Sequence, residues 1–177
     1  MQTKRLTTLA MLSAMCAVLG YLAIDLGNIK ITFEALPVFL GGLLYGPLDG
    51  LLIGTIGTLI YQLLRYGVSL TTVLWILPYT ITGCIVGFVA KKNQFQLDRK
   101  SVMITVVLCD LLITLLNTGV IYIDSKIYGW YYPALIIGSL ALRLIVSIVR
   151  GVAFGAITPK LIEKLGNRGY GRQHHDS

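Results

Sequence analysis

The sequence predicts an all-α fold, a polytopic membrane protein built as a bundle of six transmembrane helices in a single domain. Three observations predict it. Hydrophobic residues make up 55% of the 177-residue chain and charged residues only 13%, whereas a soluble domain carries about 25% charged residues. The mean hydropathy is +0.76, and the apolar residues form several long runs. The net charge of +7 lies mostly in short segments between these runs, which indicates membrane topology and not a nucleic-acid-binding surface.

The six helices follow from the apolar runs in chain order. The first is predicted over 6–25, and because further apolar runs follow it, we interpret it as a retained span and not as a signal peptide. The second, over 34–45, is shorter than the roughly 20 residues that a span requires, so we expect it to be tilted or only partly spanning. Gly46 can end this helix and Pro47 can begin the next. The other helices are predicted over 47–65, 70–90, 101–123 and 133–163, followed by a polar cytoplasmic tail over 164–177.

The basic residues predict the orientation of the bundle. With the N-terminus inside, ten lysines and arginines fall in cytoplasmic segments and three fall in outer segments, as the positive-inside rule requires. Both termini are therefore predicted to be cytoplasmic. The ten are Lys4, Arg5, Lys91, Lys92, Arg99, Lys100, Lys160, Lys164, Arg168 and Arg172, and the three are Lys30, Arg65 and Lys126.

The start of the second helix contains a carboxylate, Glu34, in an apolar setting. One interpretation is local: Thr32 caps the helix, and Glu34 in its first turn faces the positive end of the helix dipole. The other is functional: Glu34, together with Lys30 and Phe33, forms part of an outward-facing ligand site. Both interpretations remain open at this stage.

Glycines four residues apart predict close packing between helices. Small residues at this spacing share one helix face and allow neighbouring backbones to approach each other in lipid. The pattern is common in membrane spans, so it predicts a compact bundle and no particular activity. The pairs are Gly50 and Gly54, Gly83 and Gly87, and Gly151 and Gly155.

Polar residues inside the spans are expensive in lipid and indicate function or pairing. Asp110 and Arg150 lie at similar depth on the fifth and sixth helices, and we expect an ion pair between them, more plausibly a structural lock than a device for transport coupling. Asn117 and Arg143 lie nearer the outside on the same two helices. There we favour a ligand cavity, with helix packing as the alternative.

The outer segments are rich in aromatic residues, as in "RYG" (65–67), "TTVLWILPY" (71–79) and "IYGWYYP" (127–133). Such residues form belts at membrane interfaces. Their crowding into one connection between helices also suits a binding loop for a planar ligand. The candidate ligand-binding residues are therefore Lys30, Phe33, Glu34, Arg65, Tyr66, Trp75, Tyr79, Asn117, Trp130, Tyr131 and Arg143.

Sequence motifs for enzymatic chemistry are missing. The chain has no Walker A sequence, no HExxH and no GxSxG. Its three cysteines are scattered and both histidines lie in the polar tail, so no metal ligand set is apparent. We expect no catalytic residues, no metal and no cofactor.

The layout "ITFEALPVFLGGLLYGPLDGLLIG", with small size, six helices and cytoplasmic ends, resembles the substrate-binding S components of energy-coupling factor (ECF) vitamin transporters. "LAMLSA" places Ala10 and Ala14 four residues apart, similar to the face by which S components dock on their transmembrane coupling subunit. The resemblance implies high-affinity vitamin binding in the bacterial plasma membrane, with ATP hydrolysed by two partner ABC ATPases. It also implies that the subunit topples in the membrane to carry the vitamin inward.

The vitamin is left open by the sequence. The "TFEALP" and "TTVLWILP" stretches resemble the cobalamin-specific branch, and folate, pantothenate and pyridoxine are alternatives. From other classes, a small integral membrane enzyme using Glu34 or Asp110, or a structural assembly protein, are further alternatives.

Overall fold

The computed structural model describes residues 2–25 and 30–166. Over these residues the chain forms six helices and two antiparallel strands of two residues each. The all-α fold predicted from the sequence is thus confirmed, with the hairpin as an addition. The elements are α1 (Gln2–Tyr21), β1 (Ile24–Asp25), β2 (Lys30–Ile31), α2 (Ala35–Tyr45), α3 (Pro47–Tyr66), α4 (Thr72–Lys92), α5 (Arg99–Ile127) and α6 (Pro133–Gly166).

The first helix is shorter at its C-terminal end than predicted. It ends at Tyr21, and Ile24 pairs with Ile31 across the antiparallel hairpin. Over so short an apolar stretch, composition cannot distinguish a helix from a strand. The sixth helix continues to Gly166, so the first residues of the predicted polar tail are helical. The rest of that tail lies outside the described residues.

Contacts between helices define two ends of the bundle. Arg5 of α1 pairs with Asp49 of α3, and further along both helices Gly20 lies beside Tyr61. Helices α1 and α3 therefore run parallel. Helices α3 and α4 run antiparallel, with Thr55 beside Thr80. The term "cavity end" is used for the side of the bundle where the last residues of α1, α3 and α5 lie. The term "terminal end" is used for the opposite side, where α1 begins and α6 finishes.

Glycines bring α2, α3 and α4 into backbone contact. A Cβ added to Gly42 of α2 would lie 3.0 Å from the carbonyl oxygen of Gly83 of α4, and one added to Gly54 of α3 would lie 2.5 Å from that of Tyr79. A Cβ on Gly83 would likewise clash with the carbonyl group of Gly50. A side chain at Gly54 or Gly83 would therefore force the helices apart, and one at Gly42 would be tightly packed. This agrees with the close packing that the four-residue spacing predicts.

The surface of the bundle is apolar. Leu64, Leu108, Ile145 and Val149 are each more than half exposed, which is typical of side chains that contact lipid and not water. By length and composition, four helices are able to cross a membrane, namely α3, α4, α5 and the Ile137–Lys164 part of α6. The apolar part of α1 and the whole of α2 are shorter.

We expect Gly83→Ala to lower the free energy of unfolding by about 1–3 kcal/mol, because the added methyl group forces α3 and α4 apart. The matched control is Gly119→Ala on α5, where an added Cβ meets nothing within 4 Å. That change should leave stability unchanged or raise it by up to about 1 kcal/mol through helix propensity. Unfolding of both variants in detergent micelles would measure this, and equal destabilisation would contradict the packing account.

Candidate ligand-binding site

A cavity of about 510 Å³ lies toward the cavity end of the bundle. Its walls come from the segment before α2, the last turns of α3, the first half of α4 and the facing halves of α5 and α6. Its lining combines aromatic rings with hydroxyl, amide and charged groups. This volume and mixture are typical of a site for a small organic molecule.

An ion pair forms the floor of the cavity. Arg150 Nη2 lies 2.9 Å from Asp110 Oδ1, and Arg150 Nε donates to Asp110 Oδ2 at 3.0 Å. Ser147 Oγ donates to the same Oδ2 at 3.0 Å. The carboxylate is fully buried and the guanidinium is 10% exposed. The two side chains are therefore matched in charge and in hydrogen bonds, as burial in a low-dielectric interior requires.

Arg150 also links the floor to the chain segment before α2. Its Nη1 donates to the carbonyl oxygen of Thr32 at 3.2 Å, and Thr32 Oγ1 lies 3.4 Å from the hydroxyl oxygen of Tyr79. Thr32 was expected to cap α2, and this expectation is wrong. No side-chain hydrogen bond caps that helix, because the Thr32 side chain faces Arg150 and Tyr79 in the cavity.

Glu34 immediately precedes α2 and is 2% exposed. It lines the cavity. A Cβ on Gly20 would lie 2.6 Å from Oε2 of Glu34 and 2.9 Å from the ring of Tyr61, so α1 must have glycine there. Glu34 is the N-cap residue of α2 and makes no side-chain cap hydrogen bond, so the local interpretation that placed it in the first turn is wrong. Its position in the cavity lining is compatible with the functional interpretation, which stays a prediction.

One face of α5 supplies a column of lining residues. They recur at alternating spacings of four and three residues, which places them on a single helix face. Asn117, in the middle of the column, has a buried Oδ1 with no hydrogen-bond partner among the described residues. A bound molecule could supply that partner. The column is Thr114, Asn117, Ile121, Asp124 and Tyr128, and the buried Asp110 lies one turn before it on the same face.

A carboxylate marks the outer part of the same column. Asp124 Oδ1 accepts a short hydrogen bond from the hydroxyl of Thr71, and the indole Nε1 of Trp75 lies 3.4 Å from the same oxygen. Ser69 lies beside the Thr71 and Thr72 hydroxyls. The hydrogen bonds to Asp124 thereby connect the start of α4 to the end of α5 across the cavity.

Six of the eleven ligand-binding residues predicted from the sequence line this cavity. They are Glu34, Tyr66, Trp75, Tyr79, Asn117 and Arg143. The structure does not place four others in the lining, and the side chain of Lys30 lies outside the described part of the chain. The four are Phe33, Arg65, Trp130 and Tyr131.

Two of these four residues make contacts elsewhere in the bundle. The ring of Phe33 packs against Phe154 of α6, with ring centroids 6.1 Å apart. Arg65 Nη1 donates to the carbonyl oxygen of Tyr21 at 3.0 Å, so it connects the end of α3 to the end of α1. Each residue is adjacent in sequence to one that lines the cavity, Glu34 or Tyr66, but its own side chain points away.

In the aromatic connection between α5 and α6, Tyr128 lines the cavity, whereas Trp130 and Tyr131 do not. Tyr131 contacts Tyr122 edge to face at 5.4 Å, with Lys126 Nζ 4.4 Å from the Tyr131 ring centroid. Trp130 is 42% exposed. The Tyr131 side chain therefore contacts α5 residues that are not part of the cavity lining.

Several lining residues were missed by the sequence analysis because single hydroxyl and amide groups are unremarkable in isolation. Their spacing carried the signal. Thr71, Trp75 and Tyr79 recur every four residues along α4, and the α5 column recurs every three or four. The missed residues are Thr32, Tyr61, Gln62, Ser69, Thr71, Thr114, Ile121, Asp124, Tyr128, Val146 and Ser147, with Arg150 expected only as a structural partner.

The six helices and the internal polar cavity define the class: a polytopic α-helical membrane protein with an internal polar cavity. No group of three or more potential metal ligands occurs among the described residues. The family model for the ECF transporter, substrate-specific component, matches residues 4–162. The chain belongs to this family.

Solved structures share the fold. The S component of a bacterial ECF transporter is 19% identical, with a TM-score of 0.66 over 95% of this chain and 98% of that one. An S component for biotin from an ECF-type ABC transporter is 18% identical, with a TM-score of 0.69 over 97% of each chain. A search of curated protein sequences found no significant match. At these identities the structural likeness establishes the fold alone.

We expect Arg150→Met to lower the free energy of unfolding by about 3–5 kcal/mol, because it leaves the Asp110 carboxylate buried without a partner. Replacing both residues, Arg150→Met with Asp110→Leu, should cost less than Arg150→Met alone. Unfolding of the single and double variants in detergent, analysed as a double-mutant cycle, measures the coupling.

The matched control is Arg99→Met, which breaks the other ion pair between α5 and α6. Arg99 and Glu163 are 74% and 61% exposed, so solvent screens the pair and its loss should cost less than about 1 kcal/mol. Equal effects of Arg150→Met and Arg99→Met would contradict the role of the buried pair.

Proposed function

We propose that this protein is the vitamin-binding subunit of an ECF-type importer and that the 510 Å³ cavity is its vitamin site. One observation carries the proposal: in a chain of the substrate-specific family, an internal cavity concentrates the polar groups of four helices at one end of an otherwise apolar bundle. A protein with only a structural role has no need for unpartnered polar atoms such as Asn117 Oδ1 beside an internal space.

The proposed transport cycle places the cavity end on the outer side of the bacterial plasma membrane and the terminal end in the cytoplasm. The concentration of lysine and arginine near the terminal end supports this orientation. After vitamin binding, the subunit topples on a transmembrane coupling subunit and presents the vitamin to the cytoplasm. Two ABC ATPases on the partner side hydrolyse ATP. The chain itself has the role of a substrate-binding subunit and not of an enzyme.

The proposed docking surface is on α1. Ala10 and Ala14 are exposed there, next to the exposed side chains of Met11, Met15 and Val18. Two small residues one helical turn apart leave a shallow groove into which a helix of the coupling subunit fits closely. Flexible methionine side chains beside the groove adapt to a partner that slides during toppling.

The size of the cavity bears on the choice of vitamin. Its volume of about 510 Å³ lies in the range of about 300–1,000 Å³ used by drug-sized ligands. Folate, pantothenate and pyridoxine are of this class. The "TFEALP" and "TTVLWILP" stretches favour cobalamin, but a corrinoid is much larger and would fit only with part of the molecule outside. We therefore favour a smaller vitamin, with biotin as one more candidate of suitable size.

The two rival classes have less support. A lipid-modifying membrane enzyme was expected to use Glu34 or Asp110. Asp110 is paired with Arg150, and Glu34 belongs to no group of three potential metal ligands among the described residues. An assembly protein would not account for the cavity.

We expect the protein purified from vitamin-replete cells to release a small molecule that mass spectrometry identifies, and to rebind it. Trp75→Ala should weaken rebinding by about 10- to 100-fold, because a large lining ring is lost. Trp130→Ala, at the other tryptophan of the chain, should change affinity less than threefold. Equal losses in both variants would show that the connection between α5 and α6 belongs to the binding site as much as the cavity wall does, against the assignment made here. Absence of any bound or binding vitamin would refute the proposal.

We expect Ala10→Leu combined with Ala14→Leu to abolish co-purification of the coupling subunit and vitamin uptake, while vitamin binding to the isolated protein is kept. The added side chains fill the groove on α1. The matched control replaces Ala153 and Ala156 by leucine, two exposed alanines on α6 at similar depth. If the α6 variant loses the complex and the α1 variant keeps it, the docking surface is on α6.

A further inference from the structure

We propose that Asp124 determines the specificity of the cavity, and that the ligand is a planar nitrogen heterocycle that donates N–H groups to this carboxylate. The inference rests on the proposed function, because it concerns the molecule that enters the same cavity. It adds the chemical class of the ligand and the residue that selects it.

The hydrogen bonds of Asp124 hold its carboxylate in one orientation. Its Oδ1 accepts from the Thr71 hydroxyl and faces the Trp75 indole nitrogen. Its Oδ2 has no hydrogen-bond partner among the described residues, although the residue lines the cavity. An oriented carboxylate with one oxygen available is an acceptor for N–H groups, and such charge-assisted hydrogen bonds are roughly twice as strong as neutral ones.

The balance of charge in the lining favours a ligand with a positively polarised end. Glu34 and Asp124 are the acidic residues, and Arg143 and Arg150 are the basic residues. The Arg150 charge is already balanced by Asp110 behind it. Asp124 adds a negative charge at the outer part of this lining, and a ligand that donates N–H groups or carries a protonated ring complements that charge.

The neighbours of Asp124 favour a flat molecule. Trp75, Tyr66 and Tyr128 line the same outer part of the cavity, and rigid aromatic faces pack well against planar rings. Asn117 lies seven residues from Asp124, or about 10 Å along α5 at a rise of 1.5 Å per residue. Arg143 lines the cavity from α6. An acceptor at the far end of the ligand, such as a carboxylate or carbonyl group, could be bound by Arg143.

The experiment measures binding to the purified full-length protein in detergent, after removal of any co-purified molecule. The probes are folate, pyridoxine, pantothenate and cobalamin, with the co-purified molecule added when it is none of these. The test variant is Asp124→Asn, whose amide oxygen still accepts from Thr71 and Trp75, so the tie between α4 and α5 is kept. The matched control is Asp98→Asn, the same change at the opposite, exposed end of α5.

We expect the wild-type protein to bind a nitrogen heterocycle, and Asp124→Asn to weaken that binding by about 10- to 100-fold through loss of a charge-assisted hydrogen bond. Asp98→Asn should bind within twofold of wild type. A third variant, Thr71→Val, removes one support of Asp124 but keeps its charge, and should lose less affinity than Asp124→Asn.

Three results would overturn the inference and leave the vitamin-binding function intact. The first is a ligand without a nitrogen heterocycle, such as pantothenate, and the second is binding by Asp124→Asn within threefold of wild type. The third is an equal loss of affinity in Asp124→Asn and Thr71→Val, which would mean that Asp124 only connects α5 to α4. If Asp124→Asn does not fold, the wild-type protein is tested with the heterocycle methylated at its N–H, and undiminished binding refutes the inference. Binding of no vitamin at all would refute the proposed function itself.

Discussion

The buried ion pair between Asp110 and Arg150 is the interaction on which the cavity depends. It joins α5 to α6, and through the bond from Arg150 to Thr32 it joins both helices to the segment before α2. A guanidinium in the interior of a lipid-embedded bundle is costly unless its donors are satisfied. Here a carboxylate, a carbonyl oxygen and the nearby Ser147 hydroxyl satisfy the pair. The floor is therefore rigid, and polar groups above it are held in place beside an internal space.

Around this floor the bundle is built from two differently packed parts. Helices α1 to α4 are pressed together at glycines such as Gly50 and Gly83, where backbones touch. Helices α5 and α6 form a hairpin with its own glycine contacts, Gly151 beside Val107 and Gly155 beside Met103. Nearer the cavity end, Gly119 of α5 and Gly138 of α6 are exposed, and an added Cβ would meet nothing within 4 Å at either residue. The cavity occupies the space between helices α2 to α4 and the α5–α6 pair. On one side it is closed by the hydrogen bond from the Thr71 hydroxyl to Asp124.

The cavity could be predicted in part. Deep polar residues such as Asn117 and Arg143 indicated it, because burial of polar groups in lipid is selected against unless they serve a purpose. Aromatic residues gave a less specific signal: Tyr131 packs against Tyr122 of α5, and neither Trp130 nor Tyr131 is among the residues that line the cavity. Aromatic residues are expected both at membrane interfaces and in binding loops, and composition does not separate the two. Hydroxyl residues such as Thr71 and Ser147 escaped notice because their role depends on partners distant in sequence.

By itself the sequence determined that the protein is a membrane protein with six helices. It also determined the close packing of these helices at glycines and the pairing of Asp110 with Arg150. These follow from composition, from residue spacing along one helix and from the cost of charge in lipid, all of which are local properties. The tertiary structure decided that Thr32 contacts Arg150 in place of capping α2, that Phe33 and Arg65 point away from the cavity, and that Asp124 faces into it. Such outcomes depend on how helices rotate and cross, and small shifts in rotation move a side chain from the lipid face to the interior.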